Sequence, residues 1–363
     1  MNTVKVVVAM SGGVDSSVAA AILKDNGYQV SGVTMRIWDG EALPKDGTRH
    51  ACYGPGEDED IEDARKVSQI LGIPFYVFDL RQEYKTEVLD YFYHEYLSGR
   101  TPNPCLRCNS KVKFGALLRN TQDSGIEFDY FATGHYVRVE YSRGRHRCLL
   151  KKAVDLSKDQ SYFISSLSQE QLGRSLFPIG DYTKDEVRNI ACDFGLGVDN
   201  KPESQDFITG GYHSLIEAVQ PGPILNKQGD ILGEHQGIPF YTIGQRKGLG
   251  IANKEPLYVT EINPETNTII VGTREEVYQD ELIAAGLNWI AIEKLEQPLK
   301  VKAKIRNVHE EAEAIITPLH KDKVYVKFEE PQMAITPGQA VVFYQEDVVV
   351  GGGTIESTRA RVR

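Results

Sequence analysis

The chain lacks the features that would place it in or across a membrane. Its 363 residues contain no apolar run of membrane-spanning length, and its first ten residues lack the basic start and cleavage site of a signal peptide. It has only five cysteines, an odd number, so a disulfide framework is not expected. Without a secretion signal, these thiols indicate a reducing compartment, where cysteines serve chemistry or metal binding. We therefore expect a cytoplasmic globular protein with no membrane partner.

Excess positive charge is also missing, because the net charge is −10 at pH 7. This balance argues against a simple nucleic-acid coat protein. The basic residues are nevertheless clustered. The segment 100–113 has four Lys or Arg and no acid, and the segment 138–152 has six Lys or Arg against Glu140 alone. Such segments form either a solvated face or a local surface for phosphates.

Two common nucleotide-binding motifs are absent, namely G-x-x-x-x-G-K-S/T and G-x-G-x-x-G. The sequence AMSGGVDSS, residues 9–17, instead joins the first predicted strand to the first predicted helix. Its two adjacent glycines allow backbone N–H groups to approach an anion, and its serines offer hydroxyl donors. Asp15 can hold Mg²⁺ against phosphate oxygens. The pattern predicts a phosphate-binding turn.

Strand-like and helix-like segments alternate through the N-terminal half of the chain. Helical patterns cover about 15–26, 57–71, 84–97 and 109–122, and the apolar segment 74–80 predicts a buried strand. This alternation predicts an α/β fold with a doubly wound parallel sheet.

The pattern changes past about residue 205 to glycine-rich turns and short apolar alternations. Residues 257–272 predict a hairpin, and the last eighty residues predict a small β-barrel or sandwich. We expect a catalytic domain at 1–205, a β-rich adaptor at 206–280 and a C-terminal β-barrel at 281–363.

The sequence PNPCLRCN, residues 102–109, places two thiols three positions apart in a loop that prolines restrict. Cys108 lies near a predicted helix start, and Arg107, Lys111 and Lys113 surround it. Such surroundings lower a thiol pKa, which favours the nucleophilic thiolate.

The other three cysteines have weaker signals. His50 and Cys52 could complete a Cys₃His zinc site with the C-x-x-C pair. Cys148 lies in a strand-like alternation and Cys192 in a helical pattern, so both are expected to be small buried side chains.

Several stretches, in one order along nearly the whole chain, resemble the tRNA-specific 2-thiouridylase (MnmA) family of PP-loop ATP pyrophosphatases. They are AMSGGVDSS, the loop ending C-N-x-x-x-K-F at Phe114, ATGHYVR (132–138), KDQSYF (158–163), FPIGDYTKDEVR (177–188), KPESQDF (201–207), GQRKGLGIA (244–252) and PGQAV (337–341). The resemblance implies a tRNA sulfurtransferase. Such an enzyme uses ATP to adenylate O2 of wobble uridine 34 and then replaces that oxygen with sulfur, giving 2-thiouridine, AMP and pyrophosphate.

The resemblance also implies roles for particular residues. ATP contacts are implied for Ala9, Met10, Ser11, Gly12, Gly13, Val14, Asp15, Ser16, Met35 and Gly134. Asn103 and Pro104 would face the target base, and tRNA contacts are implied for His135, Lys158, Asp159, Gln160, Arg306 and Gln339. Cys108 matches the family's first catalytic cysteine. The implied partners are tRNA and an upstream sulfur donor, either a cysteine desulfurase or a relay protein.

Two departures from the family pattern affect the sulfur chemistry. Cys105 stands where most members have aspartate, and the second catalytic cysteine expected just after E-S-Q-D is missing, because Asp206 is followed by Phe207 and Ile208. Either Cys105 carries a persulfide that Cys108 resolves, or Cys52, Cys105 and Cys108 ligate a [4Fe-4S] cluster that carries sulfide. We favour the cluster here, because Cys52 otherwise has no role. A PP-loop amidoligase acting on a small molecule is the alternative function.

Overall fold

The computed structural model describes residues 3–40, 51–199, 201, 206–208 and 219–358. These residues form two compact units. The first comprises 1–88, 104–214 and 346–349, and the second comprises 89–103, 215–345 and 350–363. Each unit is described by itself. The domain boundaries expected near residues 205 and 280 stay predictions.

The first unit is built on a parallel sheet. Its strands are β1 (Lys5–Ala9), β2 (Gln29–Arg36), β3 (Ala51–Tyr53), β4 (Phe75–Asp79), β5 (Tyr130–Thr133), β6 (Val137–Ser142), β7 (Arg147–Lys152), β8 (Ser175–Leu176) and β9 (Asp206–Ile208). Five of them form a sheet in the order β4-β2-β1-β5-β8, with parallel pairing throughout. β3 and β9 form a separate parallel pair, and β6 and β7 form an antiparallel hairpin.

The helical segments alternate with these strands, as the sequence predicts. They are α1 (Val14–Asp25), α2 (Glu57–Leu71), α3 (Arg81–Tyr84), π1 (Lys85–Asp90), α5 (Pro104–Arg107), π2 (Cys108–Ala116), α6 (Leu117–Asp123), α7 (Ser161–Ile164), α8 (Gln169–Gly173) and α9 (Lys184–Asp193). The helix α4 (Tyr91–Leu97) belongs to the second unit. Four acidic residues begin α2, where they favour the positive end of the helix dipole. Gly72, with φ of 59°, ends α2 in the left-handed conformation that glycine allows.

The core of the first unit lies between the parallel sheet and its helices. The continuous apolar run of β1 buries Val6 and Val8 almost completely, and small residues of α1 such as Ala19 and Ala20 pack in the same cluster. Small side chains let α1 approach the sheet closely, so the turn that precedes α1 is held firmly against the end of β1.

The second unit is rich in β-structure. Its strands are β10 (Gly222–Leu225), β11 (Ile231–His235), β12 (Tyr258–Asn263), β13 (Thr268–Gly272), β14 (Tyr278–Trp289), β15 (Leu299–Lys304), β16 (Ala312–Leu319), β17 (Lys323–Met333), β18 (Ala340–Gln345) and β19 (Val348–Ser357). The order β11-β10-β13-β12 forms one sheet, in which the predicted hairpin is β12–β13. The order β14-β17-β16-β15-β18-β19 closes into a barrel through β14–β19 pairing.

The α/β class with a parallel sheet and a C-terminal β-barrel is therefore confirmed. One local expectation was wrong. The strand expected to be buried at 74–80 is the edge strand β4, where Tyr76 is 40% exposed. The stretches 84–97 and 109–122 are helical as expected, but part of each is π-helical, as π1 and π2. Among the residues that the structure describes, no helix is both long and apolar enough to span a membrane.

Candidate active site

A glycine turn joins β1 to α1 at the carboxyl edge of the parallel sheet. Gly12 has φ of +75°, and a β-carbon added there would lie 2.2 Å from the carbonyl oxygen of Asp60. Both facts require glycine at this position. The backbone N–H of Ser11 donates to the Ser16 hydroxyl at 3.1 Å, and the Ser17 hydroxyl donates to the Gly13 carbonyl at 2.8 Å. The turn is thus held closed by hydrogen bonds of its own serines, at a helix N-terminus suited to an anion.

Gly134 brings a second segment against this turn. It directly follows β5, the neighbour of β1 in the sheet. A β-carbon added at Gly134 would lie 2.5 Å from the backbone nitrogen of Ser16. The segment after β5 and the glycine turn therefore pack with no room for any side chain at residue 134, and the predicted ATP residues from these two places lie together.

A cavity of about 310 Å³ opens beside the turn, within the first unit. The predicted ATP residues that line it are Ala9, Met10, Ser11, Gly13, Val14, Asp15, Ser16, Met35 and Gly134. Two residues predicted to touch tRNA, His135 and Gln160, also line it. Met35 lies within β2, next to its last residue.

The sequence interpretation missed two lysines that line the cavity beside the glycine turn. Lys184, at the first position of α9, is only 8% exposed and donates from Nζ to Oδ1 of Asp15 at 2.7 Å. The Tyr136 hydroxyl donates to the same oxygen at 2.8 Å. Thr183 caps α9 and thereby positions Lys184, so the S/T-x-x-E capping pattern at 183–186 was the available signal.

Lys201 is a second missed lysine in the cavity wall. Its ammonium lies 2.7 Å from Asp60 Oδ1 and 2.8 Å from Asp63 Oδ2, both on α2. These carboxylates hold a cation beside the glycine turn. The sequence offered no comparable signal, since the pairing joins residues about 140 positions apart in the chain.

The C-x-x-C pair lies on a well-anchored helical segment. Cys105 is on α5, and Cys108 is the first residue of π2. The Arg107 guanidinium donates to Glu87 Oε2 at 2.9 Å, and the Asn109 side chain donates to the Phe163 carbonyl at 3.1 Å. π-helical turns often mark functional sites. The hydrogen bonds of Arg107 and Asn109 hold the helical segment that carries both thiols in place.

The expectation of a lowered pKa for Cys108 was wrong. Burial raises the pKa of Cys108 to about 11, although the nearby Lys113 ammonium lowers it. Burial, together with the neighbouring Cys52 and Cys108, raises the pKa of Cys105 to about 12. Arg107 does not offset this effect because it is paired with Glu87. Loss of hydration disfavours the thiolate more than one lysine favours it.

Cys52 lies on the exposed side of β3 and lines the same cavity as the glycine turn. Its neighbour Tyr53 is buried and stacks on Tyr84, with ring centroids 5.5 Å apart. β3 pairs with β9 so that Ala51 is opposite Asp206 and Tyr53 is opposite Ile208. Cys52 is therefore level with Phe207, and the buried tyrosine pair anchors its strand.

The structure does not support the predicted [4Fe-4S] ligand set. Within the described ranges, no group of three or more His, Cys, Asp or Glu is arranged to hold a metal ion. Cys52, Cys105 and Cys108 are near enough for their charges to raise the pKa of Lys113 against the lowering effect of burial. They do not, however, converge as ligands. His50, the fourth zinc ligand considered, lies outside the described residues.

The remaining cysteines lie away from this cavity wall. Cys148 is partly exposed on β7, and Cys192 is exposed on α9, so the expectation that both are buried was wrong. All five cysteines of the chain are described, and all are free.

The residues expected to touch tRNA in the first unit differ in their surroundings. Burial holds the pKa of His135 well below its ordinary value, with Lys113 adding to the effect, so the imidazole is neutral at pH 7. The Thr133 hydroxyl lies 2.7 Å from His135 Nδ1. Gln160 Oε1 accepts from the Tyr136 N–H at 2.9 Å, and Asp159 accepts from the Ser161 hydroxyl at 2.6 Å. Asp159 thus organises the loop that follows Lys158.

In the second unit, two predicted tRNA residues brace backbone loops. The Gln339 side-chain amide donates to the carbonyls of Thr101 and Pro102 at 2.9 and 3.2 Å. These residues directly precede Asn103, so Gln339 shapes the loop that carries it. Arg306 donates to the carbonyls of Ile243 and Ala334 at 3.2 and 3.1 Å.

The parallel sheet, the glycine turn and the barrel together define a HUP-type α/β enzyme with β-rich C-terminal domains. Three family models match in order: a tRNA methyl transferase HUP domain over 4–209, a tRNA methyl transferase PRC-barrel domain over 213–273 and an aminomethyltransferase beta-barrel domain over 279–355.

Curated relatives then specify the family. The chain is 52% identical over 361 residues to tRNA-specific 2-thiouridylase MnmA 1 of Caldanaerobacter subterraneus subsp. tengcongensis, covering 97% of this chain and 98% of the relative. It is 48% identical over 365 residues to tRNA-specific 2-thiouridylase MnmA of Clostridium perfringens, covering 98% and 99%. The chain belongs to the MnmA tRNA 2-thiouridylase family.

A solved structure of a 4-thiouridine synthetase–RNA complex with bound ATP is a more distant match. It is 18% identical, covers 56% of this chain and 44% of its own, and has a TM-score of 0.33.

Proposed function

We propose that this chain is a tRNA 2-thiouridine synthase that uses ATP to replace O2 of uridine 34 with sulfur. The observation that carries the proposal is a single cavity lined both by the glycine turn and by Cys52. The groups that would activate the base and a thiol that can deliver sulfur therefore face one space. The name that the curated relatives share supports the same reaction.

ATP would bind on the glycine turn. The turn's N–H groups and serine hydroxyls suit phosphate oxygens, and Met35 would lie beside the adenine. The carboxylate of Asp15 and the serine oxygens are the hard ligands that Mg²⁺ prefers, and Mg²⁺ bound there would neutralise phosphate charge. Lys184 and Lys201 would hold the pyrophosphate, which supplies the cations that the turn itself lacks.

The first chemical step would be adenylation. O2 of uridine 34 attacks the α-phosphorus, the bond from that phosphorus to the β-phosphate oxygen breaks, and pyrophosphate leaves. Sulfur then attacks C2, the C2–O2 bond breaks, and AMP leaves with the former O2. Lys113, which remains protonated at neutral pH, supplies positive charge beside the thiols and the cavity.

The sulfur would be thiol-borne rather than cluster-borne. The three cysteines Cys52, Cys105 and Cys108 influence one another electrostatically without forming a metal-binding group among the described residues. A persulfide on a cysteine delivers sulfur without a change in the oxidation state of any metal. The donor would be a cysteine desulfurase or a relay protein, acting in the cytoplasm, where free thiols persist.

The tRNA would present an unstacked anticodon base to the cavity. Proteins read single-stranded loops by turning bases out of the stack. His135 and Gln160 line the cavity where such a base would enter, and Lys158 and Asp159 belong to the same loop as Gln160. Asn103, Pro104, Arg306 and Gln339 would contact the anticodon arm.

Pyrophosphate release measured with three RNAs tests this function. We expect release with a tRNA carrying uridine 34, and no release with the same tRNA carrying cytidine 34 or without tRNA. Wild-type protein that cleaves ATP equally well without tRNA would contradict the proposal and would favour the small-molecule ligase.

A further inference from the structure

We propose that Cys52 is the residue that carries the sulfur into the adenylation cavity, with Cys108 as the thiol that releases it. This inference rests on the proposed function and assigns the thiol roles within it. Five observations favour it: cavity lining, exposure, strand anchoring, the position of β9 and the surroundings of the other thiols.

Position is the first argument. Among the described residues that line the cavity of about 310 Å³, Cys52 is the only cysteine, and it shares the wall with Ser11, Asp15 and Lys113. A sulfur attached to Cys52 therefore faces the space in which the adenylated carbon would form. Cys105 and Cys108 are near enough to Cys52 to affect protonation but do not line that wall.

Access is the second argument. A sulfur carrier must meet an external donor before it meets the substrate, and Cys52 is exposed whereas Cys105 and Cys108 are partly buried. Tyr53, stacked on Tyr84 and donating to Asp39 Oδ1 at 3.1 Å, fixes the strand immediately beside the carrier. An exposed thiol on an anchored strand can receive sulfur from solvent and still hold a fixed direction toward the cavity.

The strand pairing gives the third argument. β3 and β9 run parallel, so Cys52 is level with Phe207, the residue that follows Asp206. This pairing fixes the register of the strand that carries Cys52.

The chemistry balances with a persulfide donor R–S–SH. The Cys52 thiolate takes the terminal sulfur, which breaks the donor S–S bond and leaves R–SH and Cys52–S–SH. The terminal sulfur, as its anion, attacks C2 of the adenylated uridine, and AMP leaves. The Cys108 thiolate then attacks Cys52 Sγ, which breaks the new S–S bond, leaves sulfur on C2 and forms a Cys52–Cys108 disulfide. A dithiol reductant returns both cysteines to thiols.

The high pKa of Cys108 suits this order of steps. A thiol with pKa of about 11 is almost entirely protonated at neutral pH, so Cys108 does not attack the persulfide before it reaches the substrate. The Lys113 ammonium, whose charge interacts with both Cys52 and Cys108, can stabilise the thiolate when it forms.

The test loads the full-length protein with glutathione persulfide, without ATP or tRNA, and locates the persulfide by alkylation and peptide mass spectrometry. We expect the extra sulfur on Cys52 in the wild type and in Cys105→Ser, and its loss in Cys52→Ser. Cys192→Ser, on the exposed face of α9, is the matched control and should load and thiolate as the wild type does.

Single turnover with tRNA separates this inference from the function on which it rests. Cys52→Ser should still release pyrophosphate with uridine-34 tRNA while forming at least 100-fold less 2-thiouridine. Cys108→Ser should trap tRNA covalently on Cys52. Persulfide found on Cys105 or Cys108, or full thiolation by Cys52→Ser, would overturn the inference. Failure of the wild type to release pyrophosphate would instead overturn the proposed function.

Discussion

Gly134 and Ser16 approach so closely that a β-carbon on Gly134 would lie 2.5 Å from the Ser16 backbone nitrogen. Real β-carbons do not stand this close to backbone atoms, so any side chain at residue 134 must displace the glycine turn. The turn is also the part of the cavity that is expected to hold phosphate. A substitution at Gly134 should therefore weaken ATP binding.

Gly134→Ala should weaken ATP binding at least tenfold, as measured by calorimetric titration. Forcing a methyl group into a packed site costs about 1–3 kcal/mol, part of which should also lower the melting temperature. Gly144→Ala is the control, because an added β-carbon there meets no atom within 4 Å. Wild-type ATP affinity in Gly134→Ala would show that the turn tolerates displacement.

Lys184→Met should impair adenylation while preserving the fold. The substitution keeps the length of the buried side chain but removes the ammonium 2.7 Å from Asp15. Since hydrogen bonds between charged groups contribute about 1.5–3 kcal/mol, we expect the tRNA-dependent pyrophosphate release rate to fall about ten- to hundredfold.

Lys5→Ala provides the matched control for Lys184→Met. Lys5 also pairs with a carboxylate, Glu127 at 2.7 Å, but both side chains are exposed and remote from the cavity lining. Exposed pairs contribute little, so its activity should match the wild type. Equal activity of Lys184→Met and Lys5→Ala would show that Lys184 does not contribute to the phosphate site.

The alkylation rates of Cys105 and Cys108 should rise steadily with pH. Their pKa values of about 12 and 11 lie above the ordinary thiol value, and the thiolate is the reactive form. Below the pKa, the thiolate fraction grows about tenfold per pH unit. Iodoacetamide labelling followed by peptide mass spectrometry should show this slope from pH 7 to 10. A plateau near pH 8 in either peptide would mean that Lys113 outweighs burial.

Gln339→Ala should weaken tRNA binding without changing ATP binding. The variant removes the side-chain amide that donates to the Thr101 and Pro102 carbonyls. These two hydrogen bonds hold the loop before Asn103. We expect the tRNA dissociation constant to rise three- to tenfold in a filter-binding assay, because the lost hydrogen bonds contribute about 1 kcal/mol to the binding free energy. Gln345→Ala, which loses a bond to the Lys300 carbonyl, is the control and should bind tRNA normally.

The order of elements was predictable from the sequence because local patterns determine it. Helix α2 shows this clearly, with acids at its start, apolar residues at helical spacing and Gly72 at its end. The glycine turn could also be predicted, because adjacent glycines between a strand and a helix are typical of an anion-binding turn.

The rest of the site depends on contacts between distant residues. Lys184 and Asp15 are 169 positions apart in the sequence, so no local pattern predicts that they pair. The pKa of the Cys108 thiol could not be predicted either. The basic residues near it in the sequence suggested a lowered pKa, whereas burial in the folded chain raises it. The segment π2 is likewise held by residues far along the chain, because Asn109 donates to the Phe163 carbonyl and Gln171 donates to the Phe114 carbonyl.

If the oxygen removed from uridine leaves on AMP, an isotope label on that oxygen must appear in the AMP phosphate. A tRNA carrying ¹⁸O at O2 of uridine 34 would be incubated with the wild-type protein, ATP, Mg²⁺ and glutathione persulfide. We predict one ¹⁸O in each AMP phosphate and one 2-thiouridine formed per AMP, both measured by mass spectrometry. AMP without ¹⁸O alongside full thiolation would contradict the account.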